Sequence, residues 1–122
     1  MILFSGCSIT YGDELEDPKK HRFSKNHVNI ARCGLSNDMI VMRTIDYIEQ
    51  NPDVEYVITQ FTVPRRSTYY KNEWKSITPW IKNVQSDVYY KYLDSQEMRN
   101  MNLWKNVYIL EQYFAKPKQQ LA

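Results

Sequence analysis

The sequence contains no run of about 18 apolar residues, the minimum for a membrane-spanning helix. Its opening, Met1 to Gly6, has no basic region, and its apolar stretch is too short for a signal peptide. Charge of one sign is also lacking. Sixteen Lys and Arg stand against 14 Asp and Glu, a balance of +2 that does not imply a nucleic-acid surface. The Lys19-Lys20, Arg65-Arg66 and Lys116/Lys118 groups do not combine with aromatics into such a patch. Cysteine is limited to Cys7 and Cys33, too few for a disulfide framework, and free thiols in a cytoplasmic chain are expected. Those two cysteines and the two histidines, His21 and His27, do not show the spacing of a metal site, and no cofactor is expected. The acidic run Asp13, Glu14, Glu16, Asp17 reads as a solvated loop. No internal repeat or low-complexity stretch is present.

What is present argues for one folded domain. The chain has 122 residues, 43% of them hydrophobic, with 10 Tyr, 4 Phe and 3 Trp. Strands are expected at Ile2 to Ser5, Val28 to Ala31 and Glu55 to Thr62, where β-forming residues cluster. A helix is expected over 36–50, with Ser36 or Asn37 as its N-cap and Asn51-Pro52 as its end. A longer helix spans 95–116, with a broad apolar stripe from Met98 through Trp104, Tyr108 and Leu110 to Phe114. Between them, 67–94 reads as an irregular aromatic insertion, either a packed loop or a small subdomain. The segment Asp13 to Lys20 reads as a surface loop, with one possible helical turn at His21 to Lys25.

The chain is organised around residues 3–12, Leu-Phe-Ser-Gly-Cys-Ser-Ile-Thr-Tyr-Gly. An apolar strand runs into a turn that holds Ser8 between Gly6 and Gly12. In an open α/β sheet, ligands bind just past the carboxyl ends of the strands. Gly6 leaves room for a close approach, and the backbone N–H groups of such a turn can face an anion. The plainer reading is a strand, a glycine turn and a solvent-facing serine.

Gly6-Cys7-Ser8-Ile9-Thr10-Tyr11-Gly12 resembles the first block of the SGNH (GDSL-type) hydrolases, Gly-Asp-Ser-x-Thr-x-Gly, with Cys7 in place of the aspartate. Asn29 to Asn37 resembles the second block, and Val57 to Thr62 falls where the third, Gly-x-Asn-Asp, belongs. Within the family the resemblance is to proteins encoded by bacteriophages. It implies a small three-layer, flavodoxin-like α/β domain with a parallel sheet and a serine hydrolase acting on a small-molecule or glycan ester. It implies Ser8 as nucleophile and an oxyanion held by the N–H groups of Ser8 and Gly34. Thr62 stands where the family has an asparagine amide. Asn37, Gln60, Arg65 and Arg66 are candidate substrate contacts, the two arginines for an anionic group.

The family's Asp-x-x-His base has no counterpart here, so the set is incomplete. His21 is a candidate base from an unusual loop, and Cys7 as thiolate nucleophile would lack a placed histidine. The expectation is a domain apparently truncated at its carboxyl end, completed by another subunit, or no longer hydrolytic. In the last case it would be a binding or virion-associated module whose contact surface is the tyrosines and tryptophans between 69 and 92. Self-association or a missing carboxyl-terminal segment would cover the edge of so thin a sheet.

Overall fold

The computed structural model describes residues 1–7 and 27–115. Ser8, His21, the loop at 13–20, the turn at 21–25 and the carboxyl-terminal 116–122 lie outside the described residues. Within them the chain is a mixed α/β domain. Three parallel strands, β1 (Ile2–Ser5), β2 (His27–Asn29) and β3 (Tyr56–Thr59), form a sheet of order β2-β1-β3. β1 is central: Ile2 pairs with His27 on one side and Tyr56 on the other, and Ser5 pairs with Thr59. A continuously apolar strand suits that place, and Leu3 and Phe4 are buried.

Helix α1 (Asn37–Gln50) connects β2 to β3 and packs on the sheet face that carries Leu3 and Ser5. Ile40, Val41 and Thr44 form its buried stripe. The Ser5 hydroxyl donates to Thr44 Oγ1, which donates in turn to the Ile40 carbonyl, so both buried hydroxyls are satisfied. Ser36 is the N-cap, its Oγ accepting from Met39 N at 3.3 Å. The opposite sheet face is less covered at its β3 edge, where Tyr56 and Ile58 are more than half exposed.

Two strands are shorter than the sequence suggests, for local reasons. β2 ends at Asn29 because that side chain takes the Ala31 N–H in an Asx turn at 3.0 Å. β3 ends at Thr59; after Gln60 N bonds Ser5 O at 2.9 Å, the Thr62 backbone is held by a side chain rather than a strand. The stretch 67–94 is more regular than expected. It holds an antiparallel hairpin, β4 (Ser67–Lys71) and β5 (Glu73–Ile77), that reverses at Asn72 with φ 65. Asparagine tolerates that left-handed conformation better than most residues. A short helix α2 (Val84–Val88) runs into a wider π-type turn at Tyr89–Leu93. There the Tyr90 hydroxyl donates to the Arg65 carbonyl at 2.9 Å. Burial first, then the neighbouring Tyr89 and Asp94, raise the Tyr90 phenol to about 12.

The last helix, α3 (Gln96–Ala115), is capped by Ser95, whose Oγ accepts from Met98 N at 3.0 Å. It packs on α1. The broad stripe expected to face the core is divided. Asn106 and Leu110 are buried, whereas Met98, Met101, Trp104 and Tyr108 are largely exposed on the other side. Apolar residues extend round too much of the helix for α1 alone to cover them. Among the described residues, no helix is long and apolar enough to cross a membrane.

Candidate functional site

In the order β2-β1-β3 the chain leaves β1 to one side and returns on the other, so the crevice between the carboxyl ends of β1 and β3 is the topological switch point. Three segments meet there. Ser5, Gly6 and Cys7 continue β1, all buried. The β2–α1 loop lies on one side, joined by Arg32 N to Gly6 O at 3.3 Å. The segment after β3 lies on the other, joined by Gln60 N to Ser5 O at 2.9 Å.

The β2–α1 loop turns at Gly34, which has φ 79. A Cβ there would meet nothing within 4 Å, so glycine is needed for the backbone conformation and not for lack of space. Gly34→Ala is therefore expected to cost about 1–2 kcal/mol of stability without overpacking. A lowered urea midpoint whose shift, multiplied by an unchanged slope, equals that loss would bear this out.

Asn37 binds that loop to the β3 lip. It is fully buried, and its amide meets the Thr62 backbone twice: Thr62 N donates to Oδ1 at 2.8 Å and Nδ2 donates to Thr62 O at 3.2 Å. Its polar atoms are thus engaged within the fold, which makes Asn37 a positioning residue for Thr62. The Thr62 side chain is partly exposed beside it, and Gln60 is exposed. Arg66 is 8% exposed, donates to Leu35 O at 3.0 Å and lies 4.7 Å from the Trp80 ring centroid. It braces the loop from below. Arg65 is the exposed member of the pair, 5.7 Å from the Tyr90 ring centroid.

The structure thus brings Gly34, Asn37, Gln60 and Thr62 to one end of the sheet, around the end of β1. Ser8, next in the chain after Cys7, lies outside the described residues, as does His21. His27 is at the opposite end: it opens β2, pairs with Ile2, and sets its ring edge against Phe4 at 5.4 Å. Strand rise of about 3.3 Å per residue keeps it roughly 10 Å below the carboxyl ends. No disulfide joins Cys7 and Cys33, the first buried and the second exposed. Among the described residues, no group of three His, Cys, Asp or Glu could hold a metal.

One cluster was not singled out by its sequence. Asp38, in the first turn of α1, accepts from Thr68 Oγ1 at 3.0 Å, Lys105 Nζ at 2.9 Å and Asn106 Nδ2 at 3.0 Å. Burial pushes its carboxyl up, but the hydrogen bonds from Lys105 and Asn106, the Lys105 charge and the Thr68 bond outweigh it and hold the group below its ordinary value. Because Thr68 gives its proton to Asp38, Ser36 Oγ must donate to Thr68 Oγ1, at 2.5 Å. Ser36 N also donates to Ser76 Oγ at 2.9 Å. The hairpin is thereby fastened to the first turn of α1, beside the candidate site. Only a prior expectation of a β4–β5 hairpin could have revealed this, since its partners lie 30 and more residues away.

Family models, curated proteins and solved structures were compared with the chain, and none matches it.

Proposed function

We propose that this domain is an SGNH-like serine hydrolase of the three-layer, flavodoxin-like class, with a degenerate catalytic set, acting on a small-molecule or glycan ester. The reading is supported chiefly by one observation: the end of the central strand lies between the Gly34 loop and the Gln60–Thr62 segment. Ser8 comes three residues after Ser5, the last residue of β1, and just past a strand's carboxyl end is where such folds bind their ligands.

In this mechanism the Ser8 hydroxyl attacks the ester carbonyl, and its proton passes to a base. The N–H groups of Ser8 and Gly34, with Thr62 Oγ1, hold the oxyanion; one such donor is worth about 2.7–4 kcal/mol. The alcohol leaves, and water releases the acid from the acyl-enzyme. Among the described residues no histidine reaches this end of the sheet, so the base is His21 or a group from a further segment or subunit. A serine without its base loses several orders of magnitude in rate, so slow acylation is expected. Such an enzyme, if phage-encoded, would act in the host cytoplasm. Labelling with a fluorophosphonate probe tests the reading: an adduct on Ser8, absent from Ser8→Ala, is expected. No adduct at Ser8 in the full chain removes it.

A second reading is favoured by the apolar residues left outside the core. Met101, Trp104 and Tyr108 share one exposed face of α3, and Tyr56 and Ile58 are exposed on β3, an edge strand among the described residues. In this reading the domain is a non-catalytic module that associates with a second copy of itself, covering that edge. Light scattering separates the two: a protein that stays strictly monomeric at high concentration speaks against the module.

A further inference from the structure

A cleft of about 690 Å³ runs along the outer face of α1, away from the sheet, between α1, α3 and the hairpin. Its floor is apolar, formed by Val41, Met42 and Ile45 of α1 and Ile109 of α3. Trp74 of β5 forms a wall; it is 52% exposed, and Tyr70, its cross-strand partner, meets its ring at 5.2 Å. The volume is that of a site for one small organic molecule rather than a channel for a chain.

Charge selects the sign of the occupant. At the inner end Lys105 is locked on Asp38 at 2.9 Å, a neutral pair. Further along α1, Asp46 and Glu49 also line the cleft. Gln50 donates to Asp46 and the Tyr113 hydroxyl donates to Glu49, both neutral donors. Among the described residues, neither carboxylate has a lysine or arginine partner. Two carboxylates with no basic partner among the described residues therefore border an apolar floor and an exposed indole, and an indole face itself attracts cations.

We infer that this cleft binds a small amphipathic organic cation, an amine or quaternary ammonium carried on an aryl or alkyl body. The body lies on Met42, Ile45 and Ile109, and the cationic head meets Asp46, Glu49 and the face of Trp74. The site shares no residue with the Ser8 crevice and does not depend on it.

The test uses the full, nitrogen-labelled chain and three probes of one shape: tryptamine, neutral tryptophol and anionic indoleacetate. Titration followed by NMR should move the Trp74 side-chain N–H saturably with tryptamine, at least about fivefold more tightly than with tryptophol. Indoleacetate should bind most weakly. Asp46→Asn with Glu49→Gln, both conservative changes at exposed positions, should abolish the preference for tryptamine while leaving tryptophol binding unchanged. Equal binding of the amine and the alcohol overturns the inference, as does preference for the acid or a Trp74 signal that does not move. A Trp74 signal that shifts with protein concentration alone assigns the cleft to a second copy of the chain and overturns it equally.

Discussion

Asn37→Ala is expected to lower the folding stability by about 2–5 kcal/mol, a large share of the 5–15 kcal/mol that holds a small domain together. The substitution removes both partners of the Thr62 backbone at once. A group left without its partner costs about 1–3 kcal/mol where water does not reach it, and both of these bonds are part-buried. Local propensity does not offset the loss, since alanine gains less than 1 kcal/mol over asparagine inside a helix. Urea denaturation measures it directly, as a lower midpoint with an unchanged slope. In the same variant the Gln60–Thr62 lip is no longer tied to α1, so fluorophosphonate labelling of Ser8 should slow as well. A stability loss under about 1 kcal/mol would mean that the two bonds do not hold the lip.

Asp38→Ala is expected to cost about 2–4 kcal/mol, because one carboxylate there joins α1, β4 and α3. Its removal takes the charged acceptor from Asn106 Nδ2, in a residue only 2% exposed, and leaves that amide the Asn102 carbonyl at 2.9 Å. The pH dependence follows from the direction of its shift. The folded carboxyl titrates below its ordinary value of 3.8, so as pH falls the unfolded chain takes up the proton first. The stability contributed by Asp38 is therefore present above about pH 4 and lost as pH falls through the lowered folded value. Asp94 acts in the same direction, held down first by its hydrogen bonds from Arg99 at 2.9 and 2.5 Å. The urea midpoint of the parent chain should drop steeply below pH 4. In Asp38→Ala the midpoint should start lower and drop less over the same interval. Parallel curves for the two proteins would contradict this account of Asp38.

The local parts of this fold were legible in the sequence. Leu3 and Phe4 read as part of a parallel strand buried on both faces because such strands lose their polar alternation, and they are buried. Ser36 and Asn37 both read as caps, and it is the Ser36 hydroxyl that takes the N–H three residues on. The parts set by distant partners were not legible. Thr68, Tyr70 and Trp74 looked like scattered aromatics and polar residues until Asn72 turned the chain back between them. Asn37 looked like a free amide near the second block, since nothing in its neighbours announces Thr62, 25 residues later. Met101, Trp104 and Tyr108 fitted a core-facing stripe by spacing alone. Which side of α3 met α1 was decided by Asn106 and Leu110 instead. The candidate site falls between these cases. Its three strands were each located by local pattern, but only the end of β1 was placed correctly: β2 and β3 stop two and three residues early, and their meeting depends on the order β2-β1-β3.

A crystal structure of the full chain after reaction with a fluorophosphonate tests the central claim most directly. The account predicts phosphorus bonded to Ser8 Oγ, with the phosphoryl oxygen about 3 Å from the N–H groups of Ser8 and Gly34 and facing Thr62. A phosphoryl oxygen turned to solvent, or a Ser8 far from both Gly34 and Thr62, would contradict it.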